Sequence, residues 1–246
     1  MSRALAGRRI LLTRPLELAQ GLAALIREAG GEPLLYPALE IRDVADPAPA
    51  RALIARLGQF DLAVFVSPTA VRKGLELAAG APWPARLHVA AVGAGTRRAL
   101  EAAGFRGVIA PPAGEEDSEG LLALPELATA RHVAIFRGEH GRALLGEALA
   151  ARGAQVEYAA CYRRVRPAAA AAPEGRIDAV CASSAEALRN LVEMLGRERV
   201  AQARLFAPNA RVAAIALELG LAEPLRGGPG DAQVLAALVA YFGGAK

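Results

Sequence analysis

Asp61-Leu62-Ala63-Val64-Phe65-Val66-Ser67-Pro68-Thr69-Ala70-Val71 decides how this 246-residue chain folds, because the pattern returns as Asp178-Ala179-Val180-Cys181-Ala182-Ser183-Ser184-Ala185-Glu186-Ala187. Each copy opens on an aspartate, runs through apolar residues and closes on small hydroxylated ones ahead of a helical pattern. A short continuous apolar run followed by turn chemistry reads as a buried strand feeding a helix.

The flanking segments repeat in the same order. Arg9-Ile10-Leu11-Leu12-Thr13 is a strand, Arg14-Pro15 a break, and residues 16–29 carry apolar side chains at helical spacing until Gly30-Gly31 stop them. Pro33-Leu34-Leu35-Tyr36 then extends again. His132-Val133-Ala134-Ile135-Phe136, Arg137-Gly138, a helix over 142–151, Gly153 and Gln155-Val156-Glu157-Tyr158 repeat that sequence of events. Further on, Leu87 to Gly93 leads into a helix ending at Gly104, with another helix from Ser118, as its N-cap, to about Leu127. Arg204-Leu205-Phe206-Ala207-Pro208, a helix ending at Gly220 and a helix over 231–241 are the echo.

Strands alternating with helices predict a parallel sheet with helices on both faces, and two copies predict two similar α/β domains. The simplest partition is 1–128 and 129–246. The runs from Tyr36 to Ile41 and from Tyr158 to Val165 are long for a second strand and lead into proline-containing loops, so they read equally as linkers. In that case the domains interleave, one from 1–36 plus 166–246 and the other from 42–158.

Composition narrows the function. The chain is 54% hydrophobic and 22% charged, far too apolar for disorder. No apolar run of about 18 residues is present to span a membrane, and Ile10-Leu11-Leu12 is too short for a signal peptide, so a cytoplasmic chain is expected. Cys161 and Cys181 are too few for a disulfide framework and read as core residues; His88, His132 and His140 are too scattered for a metal site. The formal charge is +4, and Lys73 and Lys246 are the only lysines among 29 basic residues. Arginine offers a planar fork suited to carboxylates and phosphates. No basic block with interleaved aromatics occurs, so nucleic acid is not an expected partner.

In open parallel sheets ligands bind beyond the carboxyl ends of the strands, where helix N-termini offer unpaired amides. Here those ends carry Arg14, Ser67-Pro68-Thr69, Gly93-Ala94-Gly95-Thr96, Ser118, Arg137-Gly138, Ser183-Ser184 and Pro208-Asn209-Ala210-Arg211. Singly, each serine or threonine serves as a helix cap. Together they describe a cleft between domains that grips a carboxylate- or phosphate-bearing ligand. Sharper motifs fail: Gly93-Ala94-Gly95 begins a dinucleotide fingerprint, but Arg98 stands where the third glycine belongs. No Walker motif and no nucleophile elbow is present, and Glu115-Glu116-Asp117 reads as a solvated loop.

The whole arrangement resembles the uroporphyrinogen-III synthase family. The resemblance rests on Leu11-Leu12-Thr13-Arg14-Pro15, Tyr36-Pro37, Phe60-Asp61 with the stretch from Phe65 to Val71, and Ala91-Val92-Gly93-Ala94-Gly95-Thr96. It continues through Ser118-Glu119-Gly120-Leu121-Leu122, Arg137-Gly138 with Gly141-Arg142 and Leu145, Tyr162-Arg163-Arg164, and Asp178-Ala179-Val180 with Ser183-Ser184. Each motif is weak alone; their order over nearly the whole chain is specific.

The resemblance implies two flavodoxin-like parallel-sheet domains joined by a two-stranded antiparallel linker, with linker strands at about 37–41 and 159–165, and so selects the interleaved partition. It implies a cofactor-free lyase of tetrapyrrole biosynthesis; nothing in the sequence specifies oligomeric state, and a monomer is the default. The substrate this implies is the family's, hydroxymethylbilane, a linear tetrapyrrole polycarboxylate, with hydroxymethylbilane synthase as the expected partner handing it over. Water leaves, the last pyrrole is inverted through a spiro intermediate, and the ring closes as uroporphyrinogen III; unaided closure gives the type I isomer. Such a substrate needs conformational control more than strong acid–base groups, plus one proton donor for the departing hydroxyl. The resemblance places that donor at Tyr162, since a phenol keeps its proton at neutral pH; Tyr36 and Tyr158 are weaker candidates. Carried over as substrate-binding are Ser67, Thr96, Arg137 with Gly138, Arg142, Ser183 and Ser184, and the strand ends add Arg14, Thr69, Gly93, Gly95 and Ser118 to the expected binding residues. Arg211 is a departure, standing where many relatives have a Gly-x-Thr-type loop, and either contacts a carboxylate or lies on the surface. The alternatives are a two-domain anion-binding protein, a Rossmann-like nucleotide enzyme, and a paralogue that keeps the fold and has lost turnover.

Overall fold

The computed structural model describes residues 3–115, 117–141, 143–168, 171–228 and 230–244. The chain divides into two compact units, Met1–Glu40 with Val165–Lys246, and Ile41–Arg164.

Along the chain, β1 (Arg9–Leu12), α1 (Leu16–Glu28) and β2 (Glu32–Leu35) come first. Then follow β3 (Glu40–Arg42), α2 (Ala48–Ala55), a 3-10 turn, β4 (Leu62–Phe65), α3 (Pro68–Ala78), β5 (His88–Ala91) and α4 (Ala94–Ala102). Next come α5 (Ser118–Leu122), α6 (Pro125–Thr129), β6 (His132–Gly138), α7 (Leu144–Ala151) and the long β7 (Gln155–Val165). The chain ends with β8 (Ala179–Cys181), α8 (Ala185–Leu195), α9 (Arg197–Ala201), β9 (Arg204–Ala207), α10 (Ala210–Glu218), β10 (Leu225–Arg226) and α11 (Asp231–Gly243).

Each unit holds a five-stranded sheet, ordered β10-β9-β8-β1-β2 in the first and β3-β7-β6-β4-β5 in the second. Pairing is parallel from β10 through to β2 and from β7 through to β5. Both faces are buried, and strand alternation sorts the side chains. In the first unit Leu11, Val180 and Leu205 face α8 and α10, while Ile10, Leu12, Cys181 and Phe206 face α1 and α11. In the second, Ala63, Phe65, Ala134 and Phe136 face α2, α3 and α4, whereas Val64, Val133 and Ile135 face α5, α6 and α7. Phe65 and Phe136 stack with centroids 4.4 Å apart. Helix α1 buries Ala19, Leu22, Ala23 and Ile26, one stripe at the 3-4 spacing that its sequence announces. Pro33 is tolerated because β2 is an edge strand.

The repeat extends to hydrogen bonds. Asp178, just before β8, accepts the Arg9 amide of β1 at 3.0 Å; Asp61, just before β4, accepts the amides of Arg131 and His132 at 2.9 and 3.1 Å. Each carboxylate thus sets the register of its strand against the neighbour. Only 5% of the Asp178 side chain is exposed. Burial pushes its carboxyl up, but the Arg9 amide, Arg176 and Arg8 outweigh that and hold it below the ordinary range.

Several boundaries differ from the sequence reading. The single helix expected over 118–127 is two, because Pro125 cannot donate to a preceding turn and instead starts α6. Asp117 rather than Ser118 caps α5, its side chain accepting the Gly120 amide at 2.8 Å. The extension at 155–158 and the run at 159–165 form one strand, β7, and β3 lies beside it in the same sheet. The expected strands contained no hint of α2, α9 or β10.

Candidate active site

At the carboxyl ends of β4 and β6 in the second unit, the loops converge on Tyr162 of β7. Ser67 follows β4 and caps α3, its Oγ accepting the Ala70 amide at 3.1 Å. The same Oγ lies 3.2 Å from Tyr162 Oη. Tyr162 is 1% exposed and lies at an irregularity in strand pairing. Along β6–β7, Arg137 pairs with Ala160 but Gly138 pairs with Tyr162, so β7 carries one extra residue, Cys161, at this point. A bulge of this kind re-aims the side chains beyond it. Cys161 and Tyr162, adjacent in sequence, are consequently both buried in the same cluster.

Gly138 closes on the ring from β6. A Cβ there would stand 3.0 Å from Tyr162 Cε2 and 3.1 Å from Cζ, while the Glu139 amide donates to Tyr162 O at 2.8 Å. Arg164, two residues on and thus on the same side of the strand, donates from Nη2 to Tyr162 Oη over 3.4 Å. Its guanidinium carbon lies 5.7 Å from the ring centroid.

Beside these groups is a cavity of about 380 Å³ whose walls include Ser118, Arg137, Gly138, Tyr158, Tyr162 and Arg164. Arg137 is held by its own loop, donating to Gly138 O at 3.2 Å and Gly141 O at 2.6 Å, and it packs over the Tyr158 ring at 4.9 Å. Tyr158 in turn leans on α7, where any Cβ at Gly146 would collide with its hydroxyl. Two arginines and two phenols therefore line the cavity together with the Asp117 carboxylate, and the arginines and hydroxyls offer donors to an anion.

Thr69 and Thr96 lie within the first turns of α3 and α4 and are buried, at 9% and 4% exposure. Gly93 is the N-cap of α4 in an extended conformation, and a Cβ at Gly95 would meet only ordinary contacts. Arg142 lies outside the described residues, as does Glu116 of the acidic loop.

The first unit presents a parallel set at its own strand ends. Buried Thr13 donates from Oγ1 to Cys181 O at 3.1 Å and accepts the Ser183 amide at 3.0 Å, tying the ends of β1 and β8 together. Arg14 forms an ion pair with Asp231 at the start of α11. Ser184 caps α8 and Asn209 caps α10, accepting the amides of Ala187 and Val212 at 3.1 Å each. Arg211 is exposed in the first turn of α10. Tyr36 is 3% exposed in this unit's core, where burial lifts its phenol above the ordinary value despite Arg199.

Burial pushes both thiols, Cys161 and Cys181, up to about 12, so neither is a nucleophile near neutral pH. Among the described residues no group of three or more His, Cys, Asp or Glu side chains comes together to hold a metal ion. No helix among them is long and apolar enough to cross a membrane. Arg164 is a site residue not expected from sequence, although it stands in the Tyr162-Arg163-Arg164 run. The i, i+2 spacing of Tyr162 and Arg164 on a strand was the available signal.

Parallel sheets that deliver capped helix starts, arginines and a buried tyrosine to their carboxyl ends define an open-sheet α/β protein of the ligand-binding class. Residues 20–225 match the family model described as uroporphyrinogen-III synthase HemD. The uroporphyrinogen-III synthase of Salmonella typhimurium is 32% identical over 226 residues, 86% of this chain and 91% of that one. That of Escherichia coli is 30% identical over 225 residues, again 86% and 91%. The chain belongs to the uroporphyrinogen-III synthase family, enzymes of heme biosynthesis. The fold agrees: a mutant uroporphyrinogen III synthase from Thermus thermophilus aligns at TM-score 0.64 and 23% identity, over 96% of this chain and 98% of that one. The Helicobacter pylori enzyme aligns at TM-score 0.64 and 16% identity, over 95% and 99%.

Proposed function

We propose that this chain is a cofactor-free lyase that converts hydroxymethylbilane to uroporphyrinogen III, with Tyr162 as the proton donor. The observation that carries the reading is the setting of Tyr162: a buried ring whose hydroxyl meets Ser67 at 3.2 Å and borders a cavity lined by Arg137 and Arg164. The substrate carries acetate and propionate on every ring, and arginines with helix-start amides suit those carboxylates. In the first step the phenol O–H bond breaks as its proton moves to the substrate's terminal hydroxyl. The carbon–oxygen bond breaks with both electrons leaving on oxygen, water departs, and a methylene-pyrrole cation and a phenolate remain. No electrons are exchanged with a redox partner, so the chemistry asks for none. The remaining task is to hold the cation so that ring inversion precedes closure.

Two flavodoxin-like domains are part of the proposal. In the first unit the order β2-β1-β8-β9-β10 is the doubly wound order 2-1-3-4-5, and β3 with the distal part of β7 serves as the joining segments. The residues proposed to bind substrate are Ser67, Thr69, Gly93, Gly95, Thr96, Ser118, Arg137, Gly138 and Arg142 at the strand ends of the second unit, and Arg14, Ser183, Ser184 and Arg211 at those of the first. We take the protein as a cytoplasmic monomer that receives its substrate from hydroxymethylbilane synthase.

Tyr162→Phe tests the donor. It keeps the ring packing and removes only the hydroxyl, so kcat for type III formation falls on the order of a hundredfold, with little change in folding. Unchanged turnover in a folded Tyr162→Phe protein refutes the assignment.

A further inference from the structure

We propose that Arg164 is a positioning residue for the reaction, stabilising the charge that appears on Tyr162 Oη when its proton leaves. The inference rests on the reading of Tyr162 as proton donor and adds a second group to it. Tyr162 and Arg164 lie two residues apart on β7 and share one side of the strand. The guanidinium donates to Oη over 3.4 Å and sits 5.7 Å from the ring centroid. Adjacent Arg163 is directed elsewhere, donating to the backbone oxygen of Asp43 at 3.1 Å. Of the two neighbouring arginines, only one attends the phenol.

Among the described residues Arg164 has no carboxylate partner within ion-pair distance, unlike Arg14, Arg56 or Arg166. Asp117 lines the same cavity but is not paired with Arg164, so among the described residues no carboxylate holds the guanidinium. A guanidinium whose donor reaches a developing oxyanion acts on the transition state, since the oxygen it meets gains negative charge as the proton leaves. The 3.4 Å separation is long for the resting phenol, and such contacts tighten as charge forms. Ser67 cannot supply this stabilisation alone, because its Oγ already accepts the Ala70 amide and brings no charge. When the water has left, the phenolate and guanidinium form an ion pair that holds the oxygen in place. The same oxygen is then positioned to recover a proton as the macrocycle forms.

The experiment is a double-mutant cycle on kcat for type III product, using Arg164→Met, Tyr162→Phe and the pair, with Arg164→Lys and Arg163→Met beside them. Arg164→Met is expected to lower kcat on the order of tenfold to a hundredfold, with KM changed by less than about threefold. In the Tyr162→Phe background it costs nothing further, because the oxygen it serves is gone. Arg164→Lys restores part of the loss through its charge, and Arg163→Met behaves as wild type. Far-ultraviolet dichroism and the urea midpoint establish that each variant is folded. Additive losses in the double variant, a loss confined to KM, or no loss at all overturns the proposal. If instead wild-type protein yields only type I product, the functional reading has failed, a result distinct from any of these.

Discussion

A single methyl group added at Gly138 tests how tightly the fold holds Tyr162. In Gly138→Ala the new Cβ arrives 3.0 and 3.1 Å from two ring carbons. Carbon atoms pack best at about 3.5–4.0 Å, so the ring must give by a few tenths of an ångström. It has little room to do so, being 1% exposed with its backbone oxygen bound to the Glu139 amide. Overpacking of this kind costs about 1–3 kcal/mol. A shift of the ring also disturbs the 3.2 Å contact of its hydroxyl with Ser67, which is already near the long end of hydrogen-bonding range. Misplacing a reacting group by about an ångström costs on the order of a hundredfold, so a shift of a few tenths lowers kcat about fourfold here. The assays are the urea midpoint and the rate of type III formation. In the Tyr162→Phe background the ring still collides, so the stability loss persists while the further loss in kcat disappears. A Gly138→Ala protein that matches wild type in midpoint, and in kcat within about twofold, refutes the clamp and the positioning argument with it.

Other perturbations reach separate parts of the account. Ser67→Ala removes a helix cap and the Tyr162 partner together: about 1 kcal/mol of stability is lost, and type III turnover falls with it, whereas loss of stability alone contradicts the contact at Oη. Asp178→Ala strips the Arg9 amide of its acceptor and costs about 1–3 kcal/mol at pH 7. Because the folded carboxyl is held below its unfolded value, its stabilisation is present above the unfolded carboxylate range and lost as pH falls through the folded value. Urea midpoints of wild type should therefore drop steeply below about pH 4, and those of Asp178→Ala less so; parallel curves contradict the assignment. With both thiols pushed up to about 12, native protein at pH 8 should react with a thiol reagent only as fast as it unfolds. Rapid labelling of either cysteine contradicts their burial.

What was legible in the sequence follows from which forces act locally. The strands around Asp61 and Asp178 were readable because a strand buried on both faces is a continuous apolar run, and the helices after them begin at serines that cap. The parallel α/β architecture needs no more than that. Short elements escaped: β10 has two residues and α9 five, too few for any periodicity. Pro125 marked a break that the apolar pattern on either side concealed. At the site, Ser67, Ser118, Arg137, Gly138 and Tyr162 come together in one unit, and their neighbourhood at strand ends was predictable from topology. The bulge at Cys161 was not, because an extra residue in a pairing depends on the partner strand and leaves no mark on β7 alone. The role of Gly146 beneath Tyr158 was hidden for the same reason, since only the packed helix reveals which side chain fills its missing Cβ.

The measurement closest to the central claim is the isomer composition of the product. Porphobilinogen and hydroxymethylbilane synthase would generate the linear tetrapyrrole in the presence or absence of this protein, and the oxidised porphyrins would be separated. Mostly type III with the protein and type I without it is the predicted result. Type I alone, from folded protein at high concentration, contradicts the account and leaves an anion-binding protein or a paralogue without turnover as the reading of the same fold.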